Sequence, residues 1–206
     1  MSWTAVVPIK AWQSAKSRLV MPSDVREELA RALALDLLDV LSAHHDIGEV
    51  VVVTADGRVA DEARARGAAV LAERDESLNG AVRQALVWAA EVRADGPTVV
   101  VPADLAYLST DVLTNTLAAL AEAGPSHVPD RSGEGTTLLA APHASAIEPH
   151  YGAGSSAAHA AAGFPRVDAV DPRARADIDR LDDLTPAWTP GPRVSALLEN
   201  GRARSA

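Results

Sequence analysis

The sequence predicts an α/β fold, a mostly parallel sheet covered by helices on both faces. The runs Val50-Val51-Val52-Val53 and Thr98-Val99-Val100-Val101 are apolar throughout, as strands buried on both faces are. Longer amphipathic segments separate such runs, and that alternation implies crossover connections. The chain has 206 residues with no repeat and no linker, which suits one domain spanning 1–206.

The first strand is read over residues 4–9, ending at Pro8 and Ile9. Residues 24–43 carry Leu29, Leu33, Leu37 and Leu41 at helical spacing. Ser23 or Asp24 can cap that helix, with Glu27 as the capping-box partner of Asp24. After the valine strand come a short helix from Asp61 to Arg66 and a short strand from Ala68 to Leu71. A helix over 77–94 precedes the strand at Thr98, and another over 109–123 follows it, with Ser109 as its cap. Further on, Ser126 to Val128, Thr136 to Ala141 and Val167 to Val170 read as strands. Gly154 to Ala162 reads as a helix, Asp182 as the start of another, and Val194 to Glu199 as the last, before a frayed tail.

Hydrophobic residues make up 48% of the chain and aromatic ones 3%, so the core is built from Ala, Val and Leu. A net charge of −9 argues against nucleic acid as a partner. The absence of cysteine excludes disulfides and thiol chemistry. No apolar run reaches the length of a membrane span, and the N-terminus reads as a strand rather than a signal peptide. The expectation is a cytoplasmic protein.

Five constellations can carry chemistry. Lys10, Lys16 and Arg18 follow the first strand, at the carboxyl end where open α/β sheets bind ligands. Cations there suit a triphosphate, although a solvated basic loop has the same composition. Asp104 follows the Thr98 strand and suits Mg²⁺, since Ser109 is better placed to cap the next helix. Asp177 and Asp179 flank Ile178, so in an extended segment both carboxylates face one way. A loop neutralised by Arg175 and Arg180 is the plainer reading. The run Asp130 to Thr137 is either a hairpin or a glycine-lined approach to a ligand. Tyr151 to Ser156 opens a helix whose free N–H groups would attract an anion. His159 lies one turn beyond Ser155 and reads as a helix-surface histidine.

In order along the chain, these motifs resemble the 2-phospho-L-lactate and phosphoenolpyruvate guanylyltransferase family of coenzyme F-420 biosynthesis. The resemblance rests on Val6-Val7-Pro8-Ile9-Lys10, Ala15-Lys16-Ser17-Arg18-Leu19, Leu78-Asn79-Gly80-Ala81 and Pro102-Ala103-Asp104-Leu105. It extends through Asp130 to Thr136, Tyr151-Gly152 with Ser155 and His159, and Asp177-Ile178-Asp179. It implies a three-layer α/β/α nucleotidyltransferase fold with a mixed, mostly parallel sheet. Residues 1–125 would form the nucleotide half and 126–200 the acceptor half. It implies GTP as donor and a small phosphorylated three-carbon acid as acceptor, and it leaves a homodimer open. Pro8, Lys10, Lys16, Arg18 and Asn79 would bind the nucleotide, with Lys16, Arg18 and Asp104 catalytic. Thr136 (or its neighbour Thr137), Gly152 and Ser155 would hold the acceptor. Asp104, Asp177 and Asp179 would hold Mg²⁺.

The sequence departs from the family pattern at Ala106, where a proline is usual, by one extra residue between Thr136 and Gly152, and in the loop before Leu78. Glu73-Arg74-Asp75-Glu76-Ser77 stands where a glycine-rich run is usual. Two alternatives stay open on sequence alone: a nucleotidyltransferase of the molybdenum-cofactor or sugar-nucleotide type, and a GTP-binding regulator without turnover.

Overall fold

The computed structural model describes residues 2–12, 19, 21–75, 77–185 and 187–205. Among these residues, six strands form one sheet: β1 (Trp3–Pro8), β2 (Ile47–Thr54), β3 (Ala69–Ala72), β4 (Thr98–Val100), β5 (Ser126–Pro129) and β6 (Thr136–Ala141). Among the described residues, six α-helices accompany them: α1 (Ser23–Ala43), α2 (Gly57–Arg64), α3 (Leu78–Val92), α4 (Thr110–Ala123), α5 (Ser155–Ala161) and α6 (Pro192–Ser205). The strand order is β3-β2-β1-β4-β6-β5. Strands β1 to β4 pair in parallel, and β6 runs antiparallel to both β4 and β5. The sheet is therefore mixed and mostly parallel.

Alternation along β1 sorts its side chains into two cores. Ala5 and Val7 pack with α1, α2 and α4 on one face. Val6 packs with Ala81, Val82, Ala85 and Ala89 of α3 on the other. Small alanines there let the helix lie close to the sheet. A third core lies outside α1, where Leu29 and Leu33 meet Ala176, Ile178 and Val194 from the C-terminal segment.

Local chemistry sets most boundaries. Ser77 accepts from the Gly80 N–H at the start of α3, and Ser109 from the Val112 N–H at the start of α4. Asp56 caps α2, which begins at Gly57 rather than at Asp61. The α1 cap differs from the sequence expectation. Its N-cap is Pro22, no side chain caps it, and Glu27 pairs instead with Arg58 at 2.8 Å. The strand expected over Val167 to Val170 is a single bridge from Arg166 to His127. Asp171 then caps a 3₁₀ turn over Pro172–Arg175 and draws the chain off the sheet edge. Asp182 lies within a 3₁₀ turn, Leu181–Asp183, not an α-helix. The last helix continues past the expected frayed tail to Ser205. No helix among the described residues is long and apolar enough to cross a membrane.

Asp36 of α1 fastens the C-terminal segment from a distance. This buried carboxylate accepts from the backbone N–H groups of Arg193 and Val194 and from the Arg193 guanidinium at 2.9 Å. It caps α6 from another helix, and the same guanidinium also reaches Asp39. Asp36→Ala removes the cap and leaves Arg193 without its buried partner. The expected cost is on the order of 2–4 kcal/mol. Urea denaturation measures it, and an unchanged midpoint would refute the tether.

Three buried histidines tie packing to pH. Burial lowers the pKa of His44 and His127, and it lowers that of His159 to about 4. All three therefore fold as neutral rings, and below pH 6.5 the unfolded chain binds protons that the native state refuses. Stability is complete above the ordinary histidine pKa and declines as pH falls from about 6.5 towards about 4. Melting temperatures across that window check this. A flat profile from pH 7 to 5 would contradict it.

Candidate active site

The strand order reverses beside β1. The chain runs from β1 to β2 and β3 on one side, then returns to place β4 on the other. In open α/β sheets such a reversal is where ligands bind, between the loops at the carboxyl ends of the strands, here those after β1 and β4. The β1 loop begins at Pro8 and the exposed Lys10, and its Trp12 and Leu19 are buried in the core. Lys16 and Arg18 lie outside the described residues.

Asp104 stands on the β4 loop. Its backbone carbonyl accepts from the Ile178 N–H at 3.1 Å, which docks the C-terminal segment against the strand end. Ile178 is fully buried in the third core, so its two neighbours face away from that core. Asp104, Asp177 and Asp179 each offer an oxygen within 4.8 Å of the others. The Arg175 guanidinium instead holds the hairpin carbonyls of Pro129 and Asp130. Asp183 accepts from the N–H groups of Asp179 and Arg180 and fixes the turn beyond. Three hard oxygen donors at this spacing fit a small divalent cation such as Mg²⁺, which also relieves their mutual repulsion. The other close set, His44, His45 and Asp46, suits a metal less well. Both ring nitrogens of His44 are engaged, with Thr114 and with the Asp46 N–H.

The expected acceptor residues also converge. The Asp130 to Thr137 run is a hairpin between β5 and β6. Asp130 accepts from the N–H groups of Gly133 and Glu134, and Gly133 takes a φ of +80° to allow it. Thr136, at the first position of β6, lies 3.2 Å from Ser155 Oγ and 2.9 Å from His159 Nδ1. Thr137 is buried and donates to the Val128 carbonyl within the ladder. Thr136, not Thr137, is thus the threonine beside Ser155. Gly152, with φ +144°, has open space where a Cβ would stand.

The start of α5 differs from the expectation of free amides. The Ser155 N–H is bonded to the Gly152 carbonyl and the Ser156 N–H to that of Glu134. His159 is a second difference. It is fully buried, with Nε2 accepting from the His150 N–H at 2.9 Å. Its four-residue spacing from Ser155 was the available signal, since it puts both on one helix face.

Asn79 joins α3 to the Tyr151 loop. Its amide donates to the Tyr151 carbonyl at 3.0 Å and accepts from the Tyr151 N–H at 2.8 Å. Tyr151 was prominent in sequence only as part of a motif. Its ring stands edge-on to His159 at 5.2 Å, and its phenol pKa is pushed up by burial and then by the charge of Asp104. The loop before α3 lacks its expected glycines and is closed by side chains instead. Asp75 accepts from the Ser77 N–H, and Gln84 bonds both the Ala72 carbonyl and the Arg74 N–H.

Among solved structures, the fold is similar to a protein described as a nucleotide-diphospho-sugar transferase from Desulfovibrio desulfuricans G20. The TM-score is 0.72 at 17% identity, over 98% of this chain and 96% of that one. It is also similar to the 4-diphosphocytidyl-2C-methyl-D-erythritol synthase of Anaerococcus prevotii DSM 20548, with a TM-score of 0.60 at 10% identity, over 96% and 98% of the two chains. Sequence relatives are nearer. A phosphoenolpyruvate guanylyltransferase of Streptomyces coelicolor is 38% identical over 204 residues, 96% of each chain. One of Salinispora arenicola is 39% identical over 203 residues, covering 95% of this chain and 92% of its own. The profile of the family described as "Guanylyl transferase CofC like" matches residues 3–163. This chain, with its mixed sheet and its aspartates gathered at the end of β4, belongs to that guanylyltransferase family.

Proposed function

We propose that this protein transfers GMP from GTP to the phosphate of phosphoenolpyruvate and releases pyrophosphate, in biosynthesis of the deazaflavin coenzyme F-420. The observation that carries this reading is the meeting of Asp104, Asp177 and Asp179 at the β4 end, beside the strand reversal. A phosphate oxygen of the acceptor attacks the α-phosphorus of GTP. The new P–O bond forms as the bond from the α-phosphorus to the pyrophosphate oxygen breaks. The attacking oxygen is already ionised at neutral pH, so no general base is required. Catalysis is positioning and charge neutralisation.

Each half of the site has a task in this scheme. Pro8 and Lys10 border the nucleotide, and Lys16 and Arg18 take triphosphate oxygens. Asn79 supports the guanosine half through the Tyr151 loop it fastens. Thr136 and Gly152 face the acceptor's anionic groups, with Ser155 bonded behind Thr136, and the open space over Gly152 admits them. Asp104, Asp177 and Asp179 would hold Mg²⁺, which supplies positive charge to the phosphate oxygens. The naming of relatives for phosphoenolpyruvate supports that acid over 2-phospho-L-lactate and 3-phosphoglycerate.

Incubation with isotope-labelled GTP, Mg²⁺ and each acid tests the proposal through pyrophosphate release and a labelled adduct. Phosphoenolpyruvate should react fastest. GTP binding without release for any acid would favour a regulator and sink the enzyme reading. Asp104→Asn should lower kcat by on the order of 100-fold or more while circular dichroism stays unchanged. Full activity in that variant would remove Asp104 from the metal site.

A further inference from the structure

We infer that His159 is a positioning residue that acts through Thr136: its ring donates to the threonine oxygen and so leaves one hydroxyl hydrogen of the Thr136–Ser155 pair directed at an oxyanion. The inference rests on the reading that this pocket receives the acceptor.

The argument is a count of hydrogens. A backbone N–H can only donate, so the bond from His150 makes Nε2 of His159 an acceptor without a proton. A neutral imidazole carries one N–H, which must then be on Nδ1. Burial keeps the ring neutral, with a pKa of about 4. Nδ1–H therefore donates to Thr136 Oγ1 across 2.9 Å. Ser155 and Thr136 own two hydroxyl hydrogens and share one bond, at 3.2 Å. Ser155 is 2% exposed and donates inward to Thr136, whereas Thr136 is half-buried. Among the described residues, both partners of Thr136 Oγ1 are donors. Its own hydrogen is left for a ligand, and an oxygen of a phosphate or carboxylate is the partner it fits. With the opposite tautomer the chain would run from Ser155 to Thr136 to His159, every hydrogen would be used internally, and the pair would present only lone pairs.

The ring is held from several sides. His127 and Tyr151 stand with centroids 5.7 and 5.2 Å away, and Phe164 and His150 complete the surround. His127 is itself fixed between the Phe164 carbonyl and Ser156 Oγ. The tautomer is thus set by the backbone and by packing, before any ligand arrives.

Two measurements test this on the full chain. Nitrogen-15 NMR of the histidine rings reads the tautomer directly. His159 should show protonated Nδ1 and bare Nε2 at neutral pH, and the Nε2–H form would overturn the inference. The second measurement compares His159→Gln with His159→Asn. A glutamine amide reaches the Nε2 position and keeps a partner for His150, but it loses the donor at Nδ1. An asparagine amide places its NH₂ near Nδ1 and keeps that donor. His159→Gln should raise the KM for phosphoenolpyruvate by on the order of 10-fold with the KM for GTP unchanged. His159→Asn should raise it less, and His159→Gln should add nothing in a Thr136→Val background. Equal losses in the two variants, or a parallel change in the KM for GTP, would assign His159 to packing alone. If the glutamine variant does not fold, the tautomer measurement decides. A wild-type protein that turns over no phosphorylated acid sinks the proposed function instead, and the ring measurement still reads the polarity of the pair.

Discussion

Burial of Ile178 is the constraint on which the candidate site depends. The aspartates on either side of it come from a segment with little regular structure. Alone, that segment would have no reason to return to the sheet. Ile178 is drawn into the third core by α1 and α6, and its N–H then meets the Asp104 carbonyl at the end of β4. Once both contacts exist, extended geometry turns Asp177 and Asp179 away from the core and towards Asp104. The Asp36 cap on α6 supports the same arrangement from behind, because Val194 belongs to that core. Hydrophobic burial at one residue thus helps bring the three carboxylates together.

How much of this was legible in the sequence depended on the range of the cause. The Val50 and Thr98 strands could be read because burial on both faces leaves an apolar run. Ser109 announced its helix because capping is a matter of three residues, whereas the cap at Ser77 emerged only in the fold. The alternation at Asp177 and Asp179 showed that two carboxylates could share a side, and the meeting with Asp104 followed only from the family resemblance. The failures share the opposite property. Val167 and Val170 look like a strand, yet they pack against the first core after Arg166 makes one bridge, and Asp171 with Pro172 turns the chain away. Glu27 looked like a capping partner for Asp24, yet Arg58 of another helix takes it. His159 looked exposed because α5 is mostly alanine, and only the fold shows that β5, β6 and the Tyr151 loop close over it.

The loop before α3, where the resemblance leads us to expect glycines, is closed by other means. Glycines allow a tight turn through backbone freedom. Here Asp75 and Gln84 close the turn with side-chain hydrogen bonds. The start of α3 is then fixed well enough for Asn79 to pair with both backbone groups of Tyr151. That pairing resembles one rung of a sheet ladder made by a side chain. It couples the position of α3 to the loop that carries Gly152.

The two ends of the site handle negative charge by different physics. At the β4 end, three carboxylates suit a bound cation, and Lys10 stands on the facing loop. At the β6 end, burial keeps His159 neutral, and a single hydroxyl is oriented rather than charged. A protonated imidazole there would attract any anion and would hold ground state and transition state alike, which lowers KM without raising the rate. It would also have to be desolvated beside His127. A neutral donor with a fixed direction selects by geometry, and directional bonds discriminate between ligands that differ in where an oxygen sits. In the proposed reaction, charge neutralisation would be concentrated at the β4 end and orientation of the acceptor at the β6 end.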